Sequence, residues 1–238
     1  MNAPIIKLGL RSLFGRPRVI ALLALPLLLI AVSGLRHVAS SDPIDTAEAG
    51  DLLGTLGIGI VLPIVTLVAT STLISSEFDD GSIIYLLTKP VSRLGVVMSK
   101  ASVVLLAVVG LVVLPMMIAA LVLVGTRDNL WLSAGAGTLV SGAAYVGIFA
   151  VLATFLKRSI VGCLLYWLLW ELTLSGLIPA IKWTSAQAWG ASVLTQLADL
   201  EFALKVPTWF AALAGVVCLV GGVFAAGRRL ASTTISEV

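Results

Sequence analysis

The chain has 238 residues, 59% of them hydrophobic and 11% charged, with a formal net charge of +3 and a mean hydropathy of +1.12. An average globular protein is about 45–50% apolar and about 25% charged. The balance excludes a soluble globular domain, a disordered chain and a nucleic-acid binder, and makes the lipid bilayer the first partner to consider.

Residues 1–17 come first. Ile6, Leu10, Leu13 and Phe14 recur at helical spacing, while Lys7 and Arg11 stand four apart on another face. That pattern predicts an amphipathic helix on the inner membrane surface, with its cations among lipid headgroups. Charge-free runs of 17 to 28 residues then lie between Arg18 and Arg36, Asp51 and Glu77, Lys100 and Arg127, Asp128 and Lys157, and Lys205 and Arg228. A sixth, Ser159 to Ile181, is broken only by Glu171. A helix needs about 20 mostly apolar residues to cross about 30 Å of hydrocarbon. The expectation is therefore an all-α membrane protein with six transmembrane helices, a single domain over residues 1–238. The alternating pattern of a β-barrel is missing. The first run is longer than a signal-peptide core and no clear cleavage site follows it, so it reads as a retained span.

Pro26, Pro63 and Pro115 fall inside the first three spans. Each removes a backbone hydrogen bond and invites a kink, which a bundle tolerates when neighbours satisfy the freed carbonyl. The fourth span opens rich in glycine and alanine, from Ala134 to Gly137 and again from Ser141 to Ala144. In the sixth, Ala214, Cys218, Gly222 and Ala226 put a small residue at every fourth position. Such stripes let backbones approach closely, within one protomer or between two copies. Cys163 and Cys218 lie in different spans and match no metal spacing, so no metal site is expected.

Glu171 is the exception inside the membrane. It stands 13 residues beyond Arg158 and 11 before Lys182, near the bilayer midplane at about 1.5 Å per residue. Two readings are open. One is a polar point in a translocation path, with Trp167 on the same face one turn earlier. The other is a neutral acid hydrogen-bonded to Ser or Thr of a neighbouring helix. Residues 182–207 follow, too apolar for a plain loop: Trp183, Ala186, Trp189, Val193, Leu194, Leu197 and Leu200 predict one or two short helices at, or dipping into, the outer interface. Pro207 is expected in the first turn of the sixth span.

Charge sets the orientation. Eleven Lys and Arg fall on the side of the termini and four on the other, at Arg36, Arg127, Lys182 and Lys205. The positive-inside rule puts both termini in the cytoplasm, in a multi-pass protein of the plasma (inner) membrane. Seven acids lie outside: Asp42, Asp45, Glu48, Asp51, Asp128, Asp199 and Glu201.

The inner loop of residues 76–95 departs from that order. Glu77, Asp79 and Asp80 precede Gly81 and Ser82, then a short apolar run ends at Leu86 and Leu87 before Thr88, Lys89, Pro90, Val91, Ser92 and Arg93. The residue before a proline avoids the α region, which ends the run. The run is too short to span and too apolar to stand alone in water. It predicts a short helix docking on a soluble partner, with the acids meeting that partner's basic residues.

This order, acidic pair, Gly, Ser or Thr, apolar run and basic-Pro-Val-Ser-Arg after the second span, resembles the ABC-2 type permeases, the membrane subunits of type V ATP-binding cassette transporters. The surface helix, six spans and extended outer segment resemble them in topology. The resemblance implies export driven by a separate ATP-binding cassette ATPase, which would hold ATP and Mg. It implies a permease dimer, a homodimer for this chain, and outer helices that help close the exit. Glu77, Asp79, Asp80, Gly81, Leu86, Leu87, Lys89, Pro90 and Arg93 are the positions implied to couple to the ATPase. Ser82-Ile83-Ile84 stand where many members carry a Thr-Leu-Glu type run.

Other function classes fare worse. The chain has no G-x-x-x-x-G-K-[ST] and no Gly-Lys pair, so it cannot hold nucleotide phosphates itself. An intramembrane protease needs a base or paired carboxylates, but His37 is the single histidine and lies in an outer loop. No catalytic residue is expected. A passive channel or membrane scaffold shares the hydropathy but gives no reason for an apolar docking run flanked by acids. The spans offer little polarity beyond Ser, Thr and Glu171, which favours a hydrophobic or amphipathic cargo.

Overall fold

The computed structural model describes residues 18–40, 42–75, 93–156, 158–200 and 206–232. The surface helix with Lys7 and Arg11 lies outside the described residues. So does the loop that carries Glu77, Asp79, Asp80, Gly81, Leu86, Leu87, Lys89 and Pro90; Arg93 opens the helix that follows it.

All regular structure among the described residues is helical. Helix α1 is Arg18–Ala39. Helix α2 runs unbroken over residues 46–75 through Thr46–Leu52, Leu53–Val61, Leu62–Thr70 and Ser71–Ser75. Helix α3 covers residues 93–124, α4 is Leu130–Phe155, and α5 covers residues 159–177. Helix α6 is Ala186–Leu197 and α7 is Thr208–Ser232. All but α6 are long and apolar enough to cross a membrane, which makes six candidate spans among the described residues.

Three expectations shift in detail. The second span starts at Thr46, so Asp51 lies inside the helix rather than before it. Asp45 caps it, its side chain accepting the Thr46 N–H at 2.8 Å, and acids near a helix N-terminus are favoured by the dipole. Charge therefore did not mark the helix boundary. Pro207 stands just ahead of α7, where its carbonyl accepts the Ala211 N–H at 3.0 Å. Pro63 and Pro115 each sit one residue into an α-helical stretch that follows a π-helical one, Leu53–Val61 and Val109–Val113. The wider turn shifts the backbone ladder at the place where proline withholds its N–H.

Helix α4 is the axis of the core. It is apolar all round, as a helix enclosed by others must be, and its Tyr145 and Phe149 are fully buried with Ile58 and Leu62 of α2 and Met116 of α3. Helices α6 and α7 both pack along α4, and α1 lies against the second half of α3. The approach of α7 to α4 is backbone on backbone. A β-carbon on Gly147 would fall 2.0 Å from the Cys218 carbonyl oxygen, and one on Gly222 would fall 2.3 Å from that of Gly147. Ala226 of the same stripe is fully buried, and Ala214 is half-buried against the core. The structure thus seats this stripe against α4 of the same chain.

Polar contacts sort to opposite ends of the bundle. At one end Arg36 pairs with Glu48, and the Thr46 hydroxyl donates to Asp128 at 2.6 Å, joining α2 to the tight turn before α4. That turn uses Gly125 at φ +66°, ψ −137° and a left-handed Asp128 and Asn129, a conformation that glycine adopts freely and Asp and Asn tolerate. At the other end the Lys100 ammonium donates to the Leu73 carbonyl at 2.7 Å. The Arg229 guanidinium lies 5.5 Å from the centre of the Phe155 ring there. Apolar side chains such as Leu27, Leu169 and Val217 stand exposed on α1, α5 and α7, as a lipid-facing surface requires.

Candidate functional site

The site forms where α5, α2 and α6 meet, and it begins with a π-helical stretch. Within Tyr166–Leu174 residues five apart align, so the Tyr166 hydroxyl reaches Glu171 and donates to its Oε1 at 2.8 Å. Glu171 is 2% exposed. Its other partners all come from the start of α6. Ser185 donates its hydroxyl to Oε2 at 2.5 Å, the Ala186 N–H donates to Oε1 at 3.0 Å, and the Gln187 N–H donates to Oε2 at 3.3 Å. Each oxygen thus accepts two hydrogen bonds, the full capacity of a carboxylate.

This arrangement follows from helix chemistry. The first N–H groups of a helix have no partner in their own ladder. Ser185 caps α6 by accepting the Ala188 N–H at 3.1 Å, and Glu171 takes the two N–H groups in between. The helix dipole favours negative charge at this end. Glu171 therefore fastens α6 to the span before it. Two further bonds support the joint. Ser141 of α4 donates to the Ala186 carbonyl at 2.6 Å, and Trp170 donates its indole N–H to the Thr184 carbonyl at 3.4 Å. Close packing of α6 on α4 completes it, since a β-carbon on Gly137 would lie 2.4 Å from the Gly190 carbonyl oxygen.

Trp167 has a defined task of its own. Pro63 has no N–H to give the Gly59 carbonyl four residues earlier. The Trp167 indole N–H donates to that carbonyl at 2.9 Å. A neighbouring helix thus satisfies the group that proline frees, and α5 is joined to α2 at the same depth. The far end of α6 is tied as well. Gln196 donates to the Val206 carbonyl at 2.6 Å and accepts the Thr208 hydroxyl at 3.0 Å.

Above Glu171 lies a cleft of about 310 Å³. Helix α2 contributes Asp51 and Thr55, α5 contributes Ser175, the turn after α5 contributes Lys182, and α6 contributes Gln187 and Thr195. Several hydroxyls elsewhere in the spans bond to their own helix, while those of Thr70 and Tyr145 are buried without a partner. Thr66 donates to the Leu62 carbonyl at 2.7 Å, Thr138 to Ala134 at 2.7 Å and Ser99 to Gly95 at 2.8 Å.

Of the residues singled out from sequence, Glu171 and Trp167 fall in this joint, five residues apart from Tyr166 and one beyond it respectively. Ala214, Cys218, Gly222 and Ala226 belong to the separate α4–α7 contact. Ser185, Tyr166 and Gln187 were not foreseen. A serine directly before an apolar helical segment is a readable cap signal. The five-residue alignment of Tyr166 with Glu171 is not, because nothing in the sequence pattern announces a π-helical stretch.

A sequence model described as "ABC-2 family transporter protein" matches residues 16–185. The chain belongs to the ABC-2 transporter family. The match runs through the first five spans and ends at Ser185, the cap of α6. A search of curated proteins finds no match. As an ABC-2 protein the chain is the membrane permease component of an ABC transporter, a multi-pass transport protein.

Proposed function

We propose that this ABC-2 permease is the membrane subunit of an ATP-driven exporter, powered by a separate ATP-binding cassette ATPase that holds ATP and Mg. Two permease copies form the transport unit, with both termini in the cytoplasm and the loop of residues 76–95 docked on the ATPase. The cargo is hydrophobic or amphipathic. The family match over residues 16–185 carries the transport reading. The apolar composition of the spans supports the cargo class, and the Thr66, Thr138 and Ser99 hydroxyls are turned to their own helix backbones rather than to a path for sugars or ions.

In this account ATP binding closes the ATPase dimer and displaces the docked loops. The spans then exchange inward- and outward-facing arrangements, and cargo must bind the two differently for work to be done. In this account the joint at Glu171 takes part in closing the outer side. It links α5 to the outer helix, so a displacement of either is passed to the other.

The test is co-purification of the tagged chain with cytosolic ATPases from its source. A stable complex is expected, and replacing Leu86 and Leu87 with Asp should abolish it, because the docking run is the apolar part of that contact. Binding that survives the double substitution would remove the coupling assignment while leaving the fold intact.

A further inference from the structure

The cleft over Glu171 carries opposite charges that do not pair with each other. Asp51 enters from α2 and Lys182 from the turn after α5. Among the described residues the ion pair within 4.0 Å is Arg36 with Glu48, so Asp51 and Lys182 do not pair with each other. Gln187 lines the same cleft, and its side-chain Oε1 is buried without a donor. Glu171 is not available to a ligand, because its oxygens already accept four bonds. What the cleft lacks is therefore a cation to pair with Asp51 and an anion to pair with Lys182.

We propose that this cleft binds a zwitterionic group, an ammonium joined through a short linker to a phosphate or carboxylate. The ammonium is taken by Asp51 and the anion by Lys182, with the hydroxyls of Thr55, Ser175 and Thr195 lining the remaining wall. A volume of about 310 Å³ holds a headgroup of this kind and falls at the lower end of small-molecule sites. Charge-assisted hydrogen bonds at both ends give the site its selectivity. The position of this group as the polar part of an exported amphiphile rests on the export reading above. Binding itself does not, and is measured without any ATPase.

The experiment uses the purified full chain in non-ionic detergent. Affinities are compared for dihexanoyl phosphatidylethanolamine, dihexanoyl phosphatidylglycerol and free phosphoethanolamine. The zwitterionic lipid is expected to bind about tenfold more tightly than the anionic one, the margin of one hydrogen bond to a charged group. Asp51→Asn should erase that preference, and Lys182→Gln should weaken both lipids. A free headgroup that matches the lipid identifies a soluble zwitterion as the ligand, and one that binds weakly identifies an amphiphile; either supports the site. Equal binding of the two lipids by the unaltered protein overturns the proposal without recourse to any variant. So does phosphatidylethanolamine binding that is unchanged in both variants. A failure here leaves the ATPase complex untouched, whereas loss of that complex leaves this binding measurable.

Discussion

Glu171→Gln should lower the thermal unfolding midpoint of the purified permease by several degrees, and Glu171→Ala by more. Each carboxyl oxygen accepts one side-chain hydroxyl and one backbone N–H of α6. A glutamine keeps one oxygen and presents an amide NH2 in place of the other. Whichever way it is turned, the N–H of Ala186 or of Gln187 then faces another donor. A buried donor left unsatisfied costs about 1–3 kcal/mol. In a chain of this size that is about 2–4 °C in the midpoint for each kcal/mol. Alanine leaves all four donors without their acceptor. The loss is local, so it should appear first as release of α6, read as faster hydrogen exchange of the Ala186 and Gln187 amides. Transport should fall with it, since α6 then no longer follows α5. Unchanged midpoint and exchange in Glu171→Gln would mean that α6 is held by its packing on Gly137 and by the Ser141 and Trp170 bonds without the carboxylate.

The second large effect is expected at the α4–α7 contact. Gly147→Ala puts a methyl group 2.0 Å from the Cys218 carbonyl oxygen, and Gly222→Ala puts one 2.3 Å from that of Gly147. Neither obstacle is a side-chain tip that can turn aside, so the two helices must separate. Overpacking costs about 1–3 kcal/mol even where side chains give way. Loss of close backbone contact along the helix pair adds to it. Both variants should therefore express poorly and melt about 2–12 °C lower. Gly221→Ala is the internal control, because a β-carbon there meets nothing within 4 Å. Similar stability for all three would show that α7 does not sit against α4 at this distance.

The two effects differ in how far the sequence announced them. The spans were legible because the bilayer imposes length and apolarity on any crossing helix, and the regularly spaced Ala214, Cys218, Gly222 and Ala226 marked α7 as a close-packing helix. The partner of that stripe was not legible. A small residue permits approach from any helix, and only the fold selects Gly147. Glu171 stood out by its cost in hydrocarbon, and Trp167 by sharing its face. Their bonds depended on two things the pattern hides. One is the π-helical stretch that aligns Tyr166 with Glu171. The other is the descent of α6, which brings Ser185, Ala186 and Gln187 to a carboxylate eleven residues before Lys182. The carbonyl freed by Pro63 was foreseen as needing a partner; that Trp167 supplies it is a matter of tertiary structure.

The most direct test of the account is transport by the permease and its ATPase together in proteoliposomes, with a panel of fluorescent amphiphiles and ATP supplied on the ATPase side. The account predicts vanadate-sensitive, ATP-dependent movement of amphiphile away from that side, lost when Leu86 and Leu87 are replaced by Asp. Movement at the same rate without ATP, or unaffected by vanadate, would contradict it and make the chain a passive conduit.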